Sequence, residues 1–273
     1  MELFVPISIV IRTFNSEKTL NLVVEKLSLQ KGDDLIFVDS GSTDKTREIA
    51  LNYRANFCVL NESFHFSKAL NIGFLNAKND WVLVISSHCI PLQSNFLEVF
   101  RKFIRNCDSK CVVGYGLVGV FPPKINGSYL EGNLANFNSG LYYPGGNALA
   151  IYRKSAWSLH HFSESIPTAE DLEWFLWAVS VGFTTRTIPI ASAVSVNKGS
   201  YVYMFRKGFR ELRQAALLLR SSKRSYFQSI LTLLVSSSFF LIMFFSFKIS
   251  FGVMVRQICH RAGAFFGEVF PIK

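Results

Sequence analysis

The first half of the chain alternates short apolar runs with stretches of helical periodicity. Between the first two runs, apolar side chains recur at the i, i+3, i+4 and i+7 spacing of one helix face, at Leu20, Val23, Val24 and Leu27. Either Asn15 or Ser16 is expected to cap this helix. We predict further helices over residues 44–53 and 67–77, and strands over residues 7–11, 35–38, 57–60 and 81–85. Such alternation predicts an α/β fold with a Rossmann-like, mostly parallel sheet flanked by helices.

Beyond Pro91 the same alternation continues, with longer polar interruptions. The pattern predicts helices over residues 96–104, 169–181 and 201–224, and strands over residues 111–121, 147–152 and 184–188. Residues 122–147 are rich in Gly, Asn and Tyr, and a segment of this length is too long for a passive connection. We therefore expect it to face a substrate.

The positive charge of the chain is concentrated in its last quarter. Residues 198–273 contain 12 Lys and Arg against 2 Asp and Glu, whereas residues 1–197 contain 17 of each sign. The 22 residues 226–247 carry no charge and have basic residues on both sides. A basic, apolar and helical region is typical of membrane association, and basic residues on both flanks favour in-plane or re-entrant insertion over a single span. A buried hairpin or a dimer interface is the alternative.

The five cysteines are scattered along the chain and have neither zinc-site spacing nor the density of a disulfide scaffold. A reducing cytoplasm suits them best. Combined with the basic and apolar C-terminal region, this predicts a location at the cytoplasmic face of the plasma (inner) membrane, peripheral or single-span. We expect no binding of nucleic acid, because the aromatic side chains of the basic helix fall on its apolar face, away from the arginines.

Polar residues follow three of the predicted strands where each strand ends, at residues 12–16, 39–44 and 86–91. In an open α/β sheet, ligands bind beyond the carboxyl ends of the strands. Helix caps and tight turns would explain each polar segment taken singly. Their recurrence at one edge of the sheet predicts a binding site.

Five segments of the chain resemble the family 2 glycosyltransferases, in matching order and spacing over residues 6–203. These segments are IVIRTFNSEKTL, IFVDSGSTDKT, FHFSKALNIGFLNAKNDWVLVISSHCIP, GGNALAIYRKSAW and TAEDLEWFLWAVSVGF. The resemblance implies a GT-A domain over residues 1–203, with a nucleotide-binding half over 1–91 and an acceptor half over 92–203. A helical, basic and apolar appendage, which we expect to associate with a membrane, would then occupy residues 204–273.

The resemblance also implies roles for individual residues. Asp171 would be the general base that deprotonates the acceptor hydroxyl, and Glu170 its acceptor-binding partner, although these two roles could be exchanged. Asp39 would accept a hydrogen bond from the base or ribose, and Lys68 would approach the donor phosphates. The other residues implied to bind the nucleotide or donor are Thr13, Asn15, Ser40, Ser67, Ser86, His88 and Lys198. Gly145, Gly146 and Asn147 are implied to form a loop beside the acceptor or donor.

The chain departs from the family pattern where a divalent metal would bind. Ser86, Ser87 and His88 stand in place of Asp-x-Asp, as in a rhamnosyltransferase-like, capsule or O-antigen subset that the chain resembles. His88 is then the only candidate ligand for Mn²⁺ or Mg²⁺, and one imidazole without a carboxylate is a poor site for a hard cation. We expect protein cations to neutralise the pyrophosphate instead. The candidate cations are Lys68, Lys198, Arg12 or Arg206, and His88 when it is protonated.

The resemblance implies inverting transfer of a hexosyl or deoxyhexosyl group from a nucleotide-sugar donor to a hydroxyl of a lipid-linked glycan acceptor. The expected setting is the synthesis of a cell-surface polysaccharide, with a homodimer through the C-terminal region as a further partner. The alternative is a catalytically impaired membrane scaffold or regulatory subunit with the same fold. Retention of Asp39, Lys68, Glu170 and Asp171 argues against that alternative.

Overall fold

The computed structural model describes residues 4–60, 65–119, 130–133, 145–196 and 201–219. The strands are β1 Ser8–Thr13, β2 Asp34–Asp39, β3 Asn56–Val59, β4 Trp81–Ser86, β5 Cys89–Pro91, β6 Cys111–Gly119, β7 Leu130–Gly132, β8 Leu149–Arg153 and β9 Thr184–Ser195. The helices are α1 Leu20–Leu27, α2 Thr46–Asn52, α3 Phe66–Asn76, α4 Phe96–Arg105, α5 Lys154–Trp157, α6 Glu170–Ser180 and α7 Tyr201–Leu219. The predicted alternation of strands and helices is confirmed, and most ends lie within a few residues of the prediction.

The described strands form one mixed sheet in the order β3-β2-β1-β4-β8-β6-β9-β5, with β7 paired to β9. The first four strands are parallel, as predicted. In the second half, β8 runs antiparallel between β4 and β6, while β5 and β7 run antiparallel to β9. The sheet is therefore parallel over β1 to β4, where strands and helices alternate along the chain, and mixed over the later strands.

Burial explains why the local pattern predicts the first half well. All four apolar residues of the predicted stripe on α1 are buried, and every residue of β4 is buried. A strand covered on both faces is expected to read as a continuous apolar run. Gly73 in α3 lies directly over Val10 of β1, and a Cβ at this position would overlap the valine side chain. The helix can therefore approach the sheet closely only because residue 73 is glycine.

Two predictions from the pattern are wrong in detail. The residue before α1 is Thr19, whereas the pattern predicts Asn15 or Ser16 as the cap. Asn15 does not cap the helix because its side-chain Oδ1 accepts a hydrogen bond of 2.9 Å from the backbone N–H of Thr43, in the loop after β2. Strand β9 continues to Ser195 instead of ending at residue 188, because β5 and β6 supply partners for its second part.

An aromatic cluster joins α3, β8 and α6 behind the carboxyl edge of the sheet. Tyr152 of β8 is at its centre, with ring centroids 5.8 Å from Phe74, 5.4 Å from Phe162 and 5.2 Å from Trp174. All three contacts are edge-on, which is a favourable geometry for aromatic pairs. This packing fixes β8 and the start of α6 relative to the parallel half of the sheet.

The chain divides into two compact units, one of Met1–Ser165 with Glu170–Val196 and the other of Ile166–Ala169 with Asn197–Lys273. In the second unit, α7 confirms the predicted helix over the residues described. Arg206 and Arg210 are exposed on α7, whereas Phe205 and Phe209 are half-buried. None of the helices in the described part of the chain is both long and apolar enough to cross a membrane. Residues 226–247, Lys198 and most of the predicted 122–147 loop lie outside the described residues.

Candidate active site

The ends of β1 and β2 meet at one buried carboxylate, that of Asp39. Thr13 is its register partner and donates a hydrogen bond from Oγ1 to Oδ2 at 2.7 Å. Three further donors reach the carboxylate, the backbone N–H groups of Gly41 and Ser42 at 3.0 and 2.8 Å and the Ser42 hydroxyl at 2.6 Å. Four donors fill the acceptor positions of a carboxylate. A nucleotide donor group could reach Asp39 only by displacing one of them. Of the two hydroxyl donors, Thr13 is 2% exposed and Ser42 is half-buried, so the Ser42 hydroxyl is the easier one to displace.

The loops after β1 and β2 are joined into one platform. The backbone N–H of Asn15 donates to Ser42 Oγ at 2.8 Å, and Asn15 Oδ1 accepts from the N–H of Thr43. Asn15 has a φ of 46°, in the left-handed region that asparagine tolerates better than most residues. Beside it, the ring of Phe14 is 60% exposed. Our site prediction did not include Phe14, although it is a large apolar side chain in the polar loop that follows the first strand.

The end of β4 is tied to the same platform through two buried serines. Ser87 Oγ lies 2.7 Å from Ser16 Oγ, and Ser86 Oγ accepts a hydrogen bond of 3.3 Å from Arg12 Nη2. His88 follows and is half-buried. The polar ends of all three predicted strands therefore lie together, which confirms the expectation that they share one edge.

The acidic pair at the start of α6 lies beside the segment before β8. Glu170 is 5% exposed, whereas Asp171 is half-buried and more accessible. Asn147 contacts both acids, because its Nδ2 donates to Glu170 Oε1 at 3.1 Å and its backbone N–H donates to Asp171 Oδ2 at 3.2 Å. Acidic side chains in the first turn of a helix are also favoured by the helix dipole. One asparagine therefore orients both carboxylates.

The two glycines before Asn147 allow this close packing. A Cβ at Gly146 would lie 3.1 Å from Asp171 Oδ2, so a larger side chain would press on the carboxylate. A Cβ at Gly145 would lie 2.7 Å from the Cβ of Tyr115, so this position is closed by the sheet. Both glycines are therefore needed for this segment to pack closely. Gly145 packs against Tyr115, and Gly146 packs against the Asp171 carboxylate.

Arg12 connects the strand-end platform with the acidic pair. Its Nη2 donates to the backbone carbonyl of Asn147 at 2.7 Å, and its Nη1 lies 3.9 Å from Glu170 Oε1. The guanidinium also stands over the ring of Phe66, 5.6 Å from the centroid. The Arg12 side chain is 11% exposed, so a buried cation compensates a buried carboxylate.

Of the remaining predicted residues, Ser67 and Lys68 lie in the first turn of α3, and Ser40 lies directly after Asp39. Ser67, in the first turn of α3, is fully buried, and its hydroxyl has no hydrogen-bond partner among the described residues. The same holds for the buried hydroxyl of Ser40, which follows Asp39. Lys68 is half-buried beside Ser67. Lys198 lies outside the described residues, so its predicted role stays a prediction.

The residues after β4 do not fit a divalent metal. Ser86 Oγ is bonded to a guanidinium and Ser87 Oγ to another serine, so neither hydroxyl is directed to a cation. Mg²⁺ and Mn²⁺ prefer several carboxylate or carbonyl oxygens, whereas this segment offers neutral hydroxyls and one imidazole. Within the described ranges, no three His, Cys, Asp or Glu side chains lie together as a metal-binding group.

Solved structures of glycosyltransferases share this fold. S. aureus TarS 1-349, in a complex with UDP-GlcNAc, is 17% identical with a TM-score of 0.60, over 96% of this chain and 90% of that chain. A longer S. aureus TarS structure is 20% identical with a TM-score of 0.58, over 88% of this chain and 44% of that one. The mannosyltransferase PcManGT from Pyrobaculum calidifontis, in complex with GDP-Man and Mn²⁺, is 17% identical with a TM-score of 0.60, over 80% of this chain and 65% of that one.

No curated protein sequence matches the chain. The similar structures show that its mixed α/β sheet flanked by helices is the GT-A fold. The family model described as glycosyl transferase family 2 matches residues 8–151, which is more than half of the chain. That stretch contains the three polar strand ends as well as Asn147. The chain is therefore a glycosyltransferase that belongs to glycosyl transferase family 2.

Proposed function

We propose that the protein is an inverting glycosyltransferase that moves a sugar from a nucleotide-sugar donor to a hydroxyl group of a glycan acceptor. One observation carries the proposal: the acidic pair at the start of α6 is held by Asn147 and Arg12 against the polar strand-end platform. A donor bound on the platform would have its anomeric carbon near a carboxylate. Attack by an acceptor hydroxyl from the side opposite the leaving nucleotide inverts the anomeric configuration.

We assign the general base to Asp171. It is the more accessible member of the pair, whereas Glu170 is almost completely buried and faces Arg12. A base has to come within hydrogen-bond reach of the proton that it removes. In this proposal Asp171 takes the proton of the acceptor hydroxyl, while Glu170 supports the acceptor side of the site.

The platform after β1 and β2 offers groups that suit a nucleotide. The exposed ring of Phe14 can stack on a base, which is a contact that every base can make. Asp39 can accept a hydrogen bond from the base or ribose once the Ser42 hydroxyl is displaced. The buried hydroxyls of Ser40 and Ser67, which have no hydrogen-bond partner among the described residues, can donate to ribose or phosphate oxygens. The UDP-GlcNAc and GDP-Man in the similar structures support the class of donor without fixing its base or sugar.

The experiment that tests this function is a screen of nucleotide sugars by thermal shift, followed by measurement of sugar release and transfer for each ligand that binds. A ligand present at 100 times its dissociation constant should stabilise the protein by about 2.7 kcal/mol. Binding followed by transfer to an added glycan acceptor is the expected result. A folded protein that binds nucleotide sugars but never releases or transfers the sugar would favour the impaired scaffold instead.

Turnover is expected to persist after exhaustive EDTA treatment, because the serines after β4 are bonded to Arg12 and Ser16 and supply no carboxylate for a metal. Lys68 and Lys198, with Arg12 and a protonated His88, would then stabilise the leaving pyrophosphate, since that charge still needs cations. The measurement compares initial rates in EDTA with rates after Mg²⁺ or Mn²⁺ is restored. Rates that depend fully on the added metal would contradict the prediction.

The proposed acceptor is a lipid-linked glycan in cell-surface polysaccharide synthesis, and the proposed location is the cytoplasmic face of the plasma membrane. Its support is the excess of 12 basic over 2 acidic residues in 198–273, together with the uncharged segment 226–247. Such a region is attracted to anionic headgroups. Extraction by carbonate would show peripheral attachment, whereas a need for detergent would show integral attachment. The same region is the proposed site of a homodimer contact.

A further inference from the structure

A buried tyrosine hydroxyl lies behind the acidic pair. Tyr152 of β8 is fully buried, and its hydroxyl donates a hydrogen bond of 2.6 Å to Asn147 Oδ1. The other end of the same amide donates from Nδ2 to Glu170 Oε1 at 3.1 Å. Tyrosine, amide and carboxylate therefore form a continuous hydrogen-bonded chain that starts in the aromatic cluster and ends at the site.

The direction of this chain is set by chemistry. An ionised carboxylate can only accept hydrogen bonds, so the amide of Asn147 must present Nδ2 to Glu170 and Oδ1 to Tyr152. Tyr152 must then act as the donor, which requires its hydroxyl to stay protonated. Burial, and next to it the negative charge of Asp171, raises the pKa of Tyr152 well above its usual value. The hydroxyl is thus a permanent donor that holds the amide in the orientation that an ionised Glu170 needs.

Asn147 transmits this orientation to the rest of the pair. Its backbone N–H donates to Asp171 Oδ2 at 3.2 Å, and its carbonyl accepts from Arg12 at 2.7 Å. A side chain fixed at one end by Tyr152 and at the other by Glu170 leaves little freedom for the backbone of residue 147. The position of both carboxylates therefore depends on a hydroxyl that no substrate can reach.

We propose that Tyr152 is a positioning residue for transfer, which orients the Glu170 and Asp171 carboxylates through Asn147. This role rests on the proposed function, because it assumes that the acidic pair performs the reaction. Tyr152 itself contacts no substrate in this proposal. Among the described residues, the charged and titratable groups around Tyr152 and the acidic pair are Arg12 from β1, Tyr115 from β6, and Glu170 and Asp171 themselves.

The test is Tyr152→Phe, which removes the hydroxyl and keeps the ring that packs edge-on against Phe74, Phe162 and Trp174. We expect kcat to fall about tenfold, as for the loss of one orienting hydrogen bond, with the KM of donor and acceptor changed less than about twofold. The acid limb of the pH profile of kcat should move to higher pH, because Asn147 is no longer held with its Nδ2 toward Glu170 and donates less well to the ionised pair. A purely structural role would not move that limb.

Tyr53→Phe is the matched control. The Tyr53 hydroxyl also donates to an asparagine Oδ1, that of Asn21, at 3.0 Å, but it does so between α2 and α1. This variant should keep the kcat and the pH profile of the wild-type protein. A comparable loss in both variants would overturn the positioning role of Tyr152, because the loss would then follow from any broken tyrosine bond.

Asn147→Ala breaks the chain in its middle and provides a second, independent test. If Tyr152 acts through Asn147, the double variant Tyr152→Phe with Asn147→Ala should be no slower than Asn147→Ala alone, whereas independent effects would multiply. Multiplied losses would overturn the proposed role. So would an active wild-type protein whose Tyr152→Phe variant keeps its kcat and pH profile, and this result would leave the proposed function intact. A wild-type protein that transfers no sugar would overturn both.

Discussion

Asp171→Asn is expected to abolish transfer, with a loss of about 10²- to 10⁴-fold in kcat, the usual contribution of a general base. The amide that replaces the carboxylate has nearly the same shape but cannot take the proton of the acceptor hydroxyl. Asp171 lies at the start of α6, and in the proposed function it serves the acceptor, whereas the platform proposed to bind the nucleotide is built from the ends of β1 and β2. Affinity for the donor nucleotide should therefore be unchanged, and calorimetric titration with the nucleotide will measure it beside single-turnover transfer.

Glu173→Gln is the control for this experiment. Glu173 belongs to the first turn of the same helix, and its Oε1 lies 2.9 Å from His160 Nε2, so its role is accounted for without Asn147 or Arg12. The same change from carboxylate to amide should leave transfer within about twofold, because the contact of Glu173 with His160 involves neither Asn147 nor Arg12. If Asp171→Asn keeps most of its turnover while Glu170→Gln loses it, the base is Glu170 and our assignment of the two roles is wrong.

The sequence pattern predicted the parts of the fold that depend on local periodicity. The stripe on α1 is buried as expected, and the parallel strands β1, β2, β3 and β4 lie where apolar runs occur. The runs of β1, β2 and β4 are buried on both faces, whereas β3 is a partly exposed edge strand. The common edge of three polar segments follows from the same parallel order. Nothing local shows that β8 inserts antiparallel between β4 and β6, since Val82 and Tyr152 are paired across 70 residues of chain.

The candidate site, like the fold, could be predicted from the sequence only in part. The resemblance located the acidic pair and Asn147 in sequence, but it could not show that Asn147 bonds both acids, Glu170 through its side-chain amide and Asp171 through its backbone N–H. Arg12 was considered only as a cation for pyrophosphate, whereas the structure also pairs it with Glu170 and the carbonyl of Asn147. Tyr152 has no sequence signal, because a tyrosine in a buried strand is usually explained by packing. These links depend on contacts between distant segments and become visible only when the strands are paired.

Arg101→Met is expected to lower the free energy of unfolding by about 3–5 kcal/mol, the cost of leaving a buried charge without its partner. Arg101 of α4 is 1% exposed and donates from Nη2 to the buried Asp33 at 2.5 Å and from Nε to the carbonyl of Val5 at 3.1 Å. Asp33 also accepts from the backbone N–H of Ile7 at 3.0 Å. The pair therefore joins α4 to the segments that lead into β1 and β2, and methionine fills the space without neutralising the aspartate.

The measurement is urea unfolding at equilibrium, with Arg105→Met as the matched control. Arg105 is one turn further along α4 and lies 2.6 Å from Glu98, whose side chain is 44% exposed. Its removal should change the free energy of unfolding by less than about 1 kcal/mol, because water already solvates this pair. Adding Asp33→Asn to Arg101→Met should recover part of the loss, since the buried charge is then removed while an acceptor for Ile7 remains. Equal losses for Arg101→Met and Arg105→Met would contradict the argument, because burial would then have no bearing on what the pair contributes.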